Sequence, residues 1–176
     1  NTADLAGGMY SYGCSPTVKN CTFSGNTAVY NGGGIYNDVS SPTVTHCTFN
    51  GNTGLFGGGM YNSHSDPTVT NSTFSGNSGT VFGGGMYNAG SMSLVTNCTF
   101  AGNTAAYGSG MYEYRSNSTV TGSIFFDDRS DAIVNDETST GTVRFSDVQG
   151  GLPVGAVDGG GNIDLDPMFV RPPDPG

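Results

Sequence analysis

The sequence predicts an all-β solenoid, a parallel β-helix in which short strands stack rung upon rung. Two observations predict it. First, a methionine or isoleucine recurs in steps of 26, 25, 26 and 25 residues, and a valine and a phenylalanine column keep the same alternation. The columns are Met9, Ile35, Met60, Met86 and Met111; Val18, Val44, Val69, Val95 and Val120; and Phe23, Phe49, Phe74, Phe100 and Phe125. Three columns in register over five copies indicate a solenoid.

The second observation is that each copy divides into three short apolar pieces of the type Gly-Met-Tyr, Thr-Val-Thr and Cys-Thr-Phe. Their in–out alternation, their β-branched and aromatic residues and the Gly, Asn, Ser and Pro between them favour strands over helices. We therefore expect three short strands per rung of 25–26 residues. Each strand would pair in parallel with its equivalent about 4.8 Å away in the next rung.

Asparagines support this winding. One column closes the Phe-x-x-Asn segments, and another stands at a predicted bend between the second and third strands. The first contains Asn26, Asn52, Asn77 and Asn103, and the second contains Asn20, Asn71 and Asn97, with His46 and Gly122 in two rungs. Asparagine tolerates the left-handed backbone of a sharp bend, and stacked amides can bond along the axis. His46 is therefore interpreted as a bend residue.

The repeats predict about five regular rungs over residues 1–126, after a remnant or a frayed start at 1–6, and an acidic, irregular region over 127–176. Ile133, Val143 and Phe145 indicate a sixth, shorter rung, residues 163–170 a last partial rung and residues 172–176 a linker. Because the ends of a β-helix are open sheet edges, we expect the acidic segment to cover one end. The other end would be covered by missing sequence, another copy or a partner.

Charge excludes some classes of function. The net charge is −9 at pH 7, and ten of the 14 acidic residues lie from Asp127 onward. A chain this acidic repels phosphate backbones, so nucleic acid is not an expected partner. No apolar run approaches the length of a membrane span. A signal peptide is not evident, so the chain is interpreted as a mature or excised piece of a longer protein.

The pair Gly-Gly-[Met/Ile]-Tyr and Phe-x-x-Asn resembles the Gly-Gly-Ala-Ile and Phe-x-x-Asn repeats of the polymorphic outer membrane protein family, from residue 7 to about 126. The resemblance implies a right-handed parallel β-helix that acts at the cell surface, largely in adhesion. Residues 161–170 are similar to the segment that closes many secreted β-helix repeat proteins, including relatives of pectate lyases. Met-Tyr replaces the family's Ala-Ile, which leaves the ligand open.

A tyrosine column is the first candidate binding surface. Its members are Tyr10, Tyr36, Tyr61, Tyr87 and Tyr112, and each follows an inward Met or Ile. Five outward phenols would form an aromatic strip that could lie against sugar rings or another protein. The alternative is that they only stabilise the sheet by stacking across rungs. A second aromatic column, Tyr30, Phe56, Phe82 and Tyr107, is expected to fill a corner of the core.

Outward threonines are the second candidate. The pairs Thr43-x-Thr45, Thr68-x-Thr70 and Thr119-x-Thr121 resemble the Thr-x-Thr lattice of β-solenoid ice-binding proteins. Lys19 and Leu94 interrupt the array, and threonine is also simply a good outward strand residue. Ice binding is therefore an alternative function.

Cysteines and C-terminal carboxylates give weaker signals. Cys21, Cys47 and Cys98 share an inward column with serines, so buried free thiols are expected. Cys21 and Cys47 fall within disulfide range, but with poor geometry. The chain has no zinc pattern, and no metal site is predicted. Calcium could bind among the carboxylates from Asp127 to Asp166, although a solvated acidic rim explains them as well.

Catalysis has little support in the sequence. A pectate lyase or polygalacturonase needs clustered carboxylates with a partnering Lys, Arg or third acid. The regular rungs offer Asp38, Asp66 and Glu113, each expected in a turn near a different strand start. We therefore predict a non-catalytic, extracellular or cell-surface module for adhesion, with a polysaccharide-degrading enzyme as the alternative. Its partner would be a polysaccharide, a surface glycan or copies of itself joined through the open β-helix ends.

Overall fold

The computed structural model describes residues 1–128 and 131–168, and every helix or strand in that part of the chain is a β-strand. The strands are β1 Thr2–Ala3, β2 Met9–Tyr12, β3 Thr17–Lys19, β4 Thr22–Ser24, β5 Thr27–Ala28, β6 Ile35–Asp38, β7 Thr43–Thr45, β8 Thr48–Asn50, β9 Thr53–Phe56, β10 Met60–Ser63, β11 Thr68–Thr70, β12 Thr73–Ser75, β13 Ser78–Phe82, β14 Met86–Ala89, β15 Leu94–Thr96, β16 Thr99–Ala101, β17 Met111–Tyr114, β18 Thr119–Thr121, β19 Ile124–Phe126, β20 Ile133–Asn135, β21 Thr142–Arg144, β22 Asp147–Val148 and β23 Val157–Asp158. The expected linker at 172–176 lies outside the described residues.

These strands form the predicted right-handed parallel β-helix. Three long sheets run along the axis, and we name them after the strands' order in a rung: sheet II (β2-β6-β10-β14-β17-β20), sheet III (β3-β7-β11-β15-β18-β21-β23) and sheet IV (β4-β8-β12-β16-β19-β22). All pairings are parallel and join equivalent residues. Met60, for example, lies between Ile35 and Met86, and Phe74 lies between Phe49 and Phe100.

A fourth, shorter sheet was not predicted. Sheet I consists of β1-β5-β9-β13, and its strands β5, β9 and β13 follow the Phe-x-x-Asn segments that end at Asn26, Asn52 and Asn77. The alternation between rungs of 25 and 26 residues arises in the segment that contains this sheet. The segment from Asn77 to Met86 is one residue longer than the segment from Asn52 to Met60. The pairing of β9 with β13 is correspondingly irregular. The expectation of a frayed start is wrong, since β1 pairs with β5.

The core is a stack of identical side chains, as the three columns predict. The phenylalanine rings lie 4.5–5.0 Å apart and nearly parallel. Met60, Met86 and Met111 are completely buried. At the predicted bends Asn71, Asn97 and their equivalents adopt positive φ, and His46 does so too, at 52°. Stacking like on like therefore fixes both the register and the position of the bends.

The C-terminal region forms a shorter sixth rung and part of a cap. Ile133 and Val143 are buried in it as expected. Phe145, the third residue that indicated this rung, lies at its bend, with a positive φ of 49° and an exposed side chain. Val148 instead pairs with Phe125 and extends the phenylalanine column. Above this rung, β23 pairs with β21 in sheet III, and Ile163 forms a bridge with Asp147 in sheet IV.

Within the described residues, no helix is long and apolar enough to cross a membrane.

Candidate functional site

The tyrosine column lies on the outer face of sheet II, with its rings stacked along the solenoid axis. Ring centroids of successive tyrosines are 4.9–5.7 Å apart. Tyr36 and Tyr87 are each only 8% exposed, whereas Tyr10 at one end is 48% exposed. The ring faces in the middle of the column are thus occupied by neighbouring rings. A ligand approaching from the side would meet ring edges and hydroxyl groups.

The second aromatic column covers the first one. Phe56 lies 5.5 Å from Tyr87, and Phe82 lies 4.4 Å from Tyr112, measured between ring centroids. The expectation that this column fills a corner of the core is therefore wrong: Phe56 and Phe82 are half-buried on the outside. We call the two aromatic columns together the outer aromatic layer. Burial of the Tyr36 side chain within this layer raises its pKa to about 12, so the phenol stays neutral.

The ends of this layer carry the exposed rings. Tyr10, Tyr12 and Tyr30 are exposed near the N-terminal end, and Tyr107 and Tyr114 are exposed near the C-terminal end. Only the first belongs to the tyrosine column that the sequence singled out. Tyr30 and Tyr107 belong to the second aromatic column, and Tyr12 and Tyr114 lie beside the layer, at the ends of β2 and β17. The sequence does not show which rings Phe56 and Phe82 cover, so it could not predict which rings stay exposed.

Threonines line the outer face of sheet III in two columns. One column is interrupted by Leu94, which pairs with Thr68 and Thr119. The other is continuous over Thr45, Thr70, Thr96 and Thr121 and ends at Lys19 and Arg144. The Thr70 hydroxyl donates to Thr45 Oγ1 at 3.1 Å. Thr96 was left out of the predicted array because its strand begins with Leu94.

Two asparagine ladders run inside the solenoid, and by a ladder we mean a column of side chains hydrogen-bonded from rung to rung. In the first, each Nδ2 donates to the next Oδ1 at 2.9–3.0 Å through Asn26, Asn52, Asn77 and Asn103. It ends at Asp128, whose Oδ1 accepts from Asn103 Nδ2 at 3.1 Å. Burial raises the pKa of Asp128 to about 7.

The second ladder was missed by the sequence analysis. Asn37, Asn62 and Asn88 are completely buried, and their Nδ2–Oδ1 distances are 2.8 Å. The ladder ends at Glu113, which accepts from Asn88 Nδ2 at 2.7 Å and from Ser118 Oγ at 2.9 Å. Burial raises the pKa of Glu113 to about 8. The signal was available, because residues two positions apart on a strand face the same side and each of these residues follows Met-Tyr or Ile-Tyr.

The expected positions of Asp38 and Glu113 in turns are therefore wrong, since Asp38 is the last residue of β6 and Glu113 lies within β17. The three carboxylates considered for catalysis also do different things. Asp38 lies beside Tyr10, with 3.4 Å between Oδ2 and the phenol oxygen, and Asp66 accepts from the Met92 backbone N–H at 2.6 Å. Each of the three carboxylates thus has its own hydrogen-bond partner.

All four cysteines are free thiols. Cys47 and Cys98 are buried as expected, whereas Cys21 and Cys14 are exposed. Cys21 and Cys47 lie in adjacent rungs without a disulfide between them. Burial raises the pKa of Cys98 to about 11. Over residues 1–128 and 131–168, no group of three or more His, Cys, Asp or Glu side chains could hold a metal ion. Calcium among the C-terminal carboxylates stays an expectation.

Two cavities lie at the C-terminal end of the described solenoid. One of about 310 Å³ lies between β20 and residues 149–154, and one of about 230 Å³ is lined by Val148, Leu152 and Asp158 among others. A small space of about 10 Å³ lies beside Glu113, Ser118 and Asn135.

Comparison with protein families agrees with this geometry. The description "right handed beta helix region" matches residues 7–167, which include the regular rungs and the C-terminal cap. The chain belongs to the right-handed β-helix family. Curated proteins and solved structures give no match. Membership in the β-helix family accounts for the repeat and the stacked core. It does not identify a ligand, which has to be inferred from the surface.

Proposed function

We propose that this chain is a non-catalytic β-helix module of an extracellular or cell-surface protein, related to the polymorphic outer membrane protein type, and that its repeated outer surface mediates adhesion. The outer aromatic layer carries this proposal. It holds large aromatic side chains rigidly along one corner of a solenoid and exposes several of them at its two ends. Exposed, preorganised aromatic residues favour binding because little side-chain entropy is lost on contact.

The chemistry of the layer favours a glycan over a charged ligand. Tyr30 and Tyr107 present more than half of their side-chain surface to solvent, at 53% and 58%. Their rings offer apolar area, and their hydroxyl groups can donate and accept hydrogen bonds. The side chains of the layer carry no charge, although Arg115 Cζ lies 5.2 Å from the centroid of the exposed Tyr114 ring beside its C-terminal end. The second partner in the proposal is another copy of the chain.

The experiment compares binding by the native chain and by a Tyr30→Ala/Tyr107→Ala variant on a glycan array, with sedimentation velocity to detect self-association. We expect at least a tenfold loss of glycan binding or of self-association. The fold should persist, because both side chains are largely exposed. Phe145→Ala, which removes an exposed ring outside the layer, is the matched control. Binding and self-association equal to those of the native chain would rule out the layer as the contact surface. Release of reducing ends or unsaturated products from acidic polysaccharides would favour the enzyme alternative.

One observation supports ice binding as a second candidate function. The continuous threonine column of Thr45, Thr70, Thr96 and Thr121 gives four equivalent hydroxyl groups spaced by about 4.8 Å. Thermal hysteresis that disappears in Thr70→Lys and persists in Thr99→Lys, on the neighbouring sheet IV, would support it. Absence of hysteresis in the native chain would exclude it.

A further inference from the structure

Among the described residues, sheet II ends one strand earlier than its neighbours. Sheet III continues to β23, and sheet IV continues to the bridge at Ile163, whereas the last described strand of sheet II is β20. A cavity of about 310 Å³ lies beside β20 and is lined by residues 131–135 and 149–154. The cavity therefore lies where a seventh strand of sheet II would be.

The backbone of β20 is arranged to accept such a strand. Met111 N–H donates to Ala132 C=O at 2.9 Å, and Asp136 N–H donates to Glu113 C=O at 3.0 Å. Because alternate residues of a strand face opposite neighbours in a parallel ladder, Val134 faces β17. The N–H and C=O groups of Ile133 and Asn135 consequently face the cavity side, where the described residues include no pairing strand.

The side chains of β20 also continue patterns that stop there. Ile133 extends the inward column of Met and Ile residues from Met111. Asn135 follows Glu113 in register, and its Nδ2 is buried without a hydrogen-bond partner among the described residues. In each preceding amide of this ladder, Nδ2 donates to the side chain one rung onward, at 2.7–2.8 Å. A buried amide without a partner is costly, so the next rung should supply an oxygen.

We propose that the cavity binds an extended peptide in parallel with β20, as an added strand of sheet II. The peptide would place a large apolar side chain over Ile133. Two residues later it would place a side-chain oxygen within reach of Asn135 Nδ2. This pattern is large apolar–any–Asn, which is the pattern of sheet II itself. Strand addition of this kind gains affinity from main-chain hydrogen bonds and specificity from alternate side chains.

A single strand fits this place better than a whole second copy does. The adjoining edges of sheets III and IV are already paired with β23 and Ile163, so a flat stack of copies would have to displace both. Asp131 lines the cavity and contributes a negative charge, which favours a neutral or basic peptide. The proposal does not depend on the function of the outer aromatic layer.

The test uses a fluorescein-labelled peptide Gly-Gly-Met-Tyr-Asn-Ser, the sequence of residues 58–63, and measures fluorescence anisotropy with the whole chain. We expect saturable binding with one peptide per chain. The peptide Gly-Gly-Met-Tyr-Ala-Ser should bind about tenfold more weakly, which is the order expected for one buried hydrogen bond. Because this change is made in the peptide, it does not affect the fold of the protein.

A protein variant then identifies the partner of the peptide asparagine. In Asn135→Ala the two peptides should bind equally, whereas in the matched control Thr70→Ala, on sheet III, the tenfold difference should remain. Absence of saturable binding would overturn the proposal. Equal binding of the two peptides to the native chain would overturn it as well, and so would a difference that persists in Asn135→Ala. If sedimentation velocity shows copies of the chain associating and no peptide binds, the occupant of the cavity is a second copy, and the proposal is overturned.

Discussion

Glu113 shows how a single residue can set the pH dependence of the fold. Its carboxyl group is buried at the end of an amide ladder, and burial raises its pKa to about 8 from an ordinary value of 4.5, although Asn88 and Ser118 donate to it. The folded chain therefore keeps a proton that the unfolded chain releases near its ordinary pKa. The stability associated with this proton is fully present below the unfolded pKa and is lost as pH rises through about 8.

Glu113→Gln should remove the part of the pH dependence that Glu113 contributes, whereas Asp128, whose pKa burial also raises, keeps its own part. Glutamine has the same length, keeps an oxygen for Asn88 and carries no charge to desolvate. Between the two pKa values each pH unit lowers the free energy of unfolding of the native chain by up to about 1.4 kcal/mol. We expect the variant to be equal to the native chain at pH 4 and more stable at pH 8, in urea unfolding at both pH values. Asp66→Asn, at an exposed turn, is the control. A variant with the same pH profile as the native chain would contradict the assignment.

The inward position of Glu113 also shows where prediction from sequence fails at the level of single residues. The alternation Met-Tyr-Glu places Glu113 on the same face as Met111, yet an ionised carboxylate in a core is so costly that a turn was the reasonable expectation. The hydrogen bonds from Asn88 and Ser118 offset part of that cost, and they depend on Asn88 facing inward. A polar ladder becomes visible only when all of its rungs are aligned.

At the scale of whole elements, the two asparagine ladders have a direction. Each side-chain NH₂ group donates toward the C-terminal end, and the side-chain oxygens accept from the preceding rung, except Asn37 Oδ1, which has no partner among the described residues. The last member needs only to accept, and both ladders end at a carboxyl group, Asp128 in one and Glu113 in the other. Aligned amides polarise one another, so a member in the middle should contribute more than one at the end.

Asn77→Ala should therefore destabilise the chain more than Asn26→Ala. The Asn77 side chain accepts from Asn52 N–H and Nδ2 and donates to Asn103 Oδ1 and to Phe49 C=O. Its removal leaves several buried groups without partners and should cost roughly 3 kcal/mol or more. Asn26 lies near the start of the ladder, where its Oδ1 accepts from Asn1 Nδ2 at 3.3 Å, and its loss leaves Asn52 Oδ1 bonded to the Asn26 backbone N–H. Urea unfolding of both variants checks the order, and equal losses would show that the ladder has no cooperativity.

The sequence predicts three of the four sheets, and it does not predict the outer aromatic layer. Sheets II, III and IV follow from the columns of Met60, Val69 and Phe74, because identical residues recur at a fixed period and only a full turn per repeat can stack them. The outer aromatic layer does not follow. Phe56 and Phe82 precede the glycines by short loops whose path the period does not determine, so their position over the tyrosines required coordinates. The exposed ends of the layer, and with them the candidate site, were predicted only in part.

For the whole molecule, the pairings show that the regular rungs pair only with their neighbours. Met60 pairs with Ile35 and Met86, and Phe74 pairs with Phe49 and Phe100. The stability of such a solenoid is approximately the sum of rung terms and of terms between adjacent rungs. One complete rung should therefore be removable, provided that the cut restores every column.

Deletion of residues 60–85 meets this condition, because it joins Gly59 to Met86 and keeps the Gly-Gly-Gly-Met-Tyr sequence. Phe49 would then stack on Phe100, and Asn52 would bond to Asn103. We expect a folded chain of lower stability whose urea m-value falls by roughly 15%, in proportion to the chain removed. The control is deletion of residues 60–72, which joins Gly59 to Thr73, brings a sheet IV strand into the place of a sheet II strand and should prevent cooperative unfolding. If circular dichroism shows that the full-rung deletion is also unfolded, the rungs are not equivalent. The irregular pairing of β9 with β13, or the outer aromatic layer, would then couple rungs that are not adjacent.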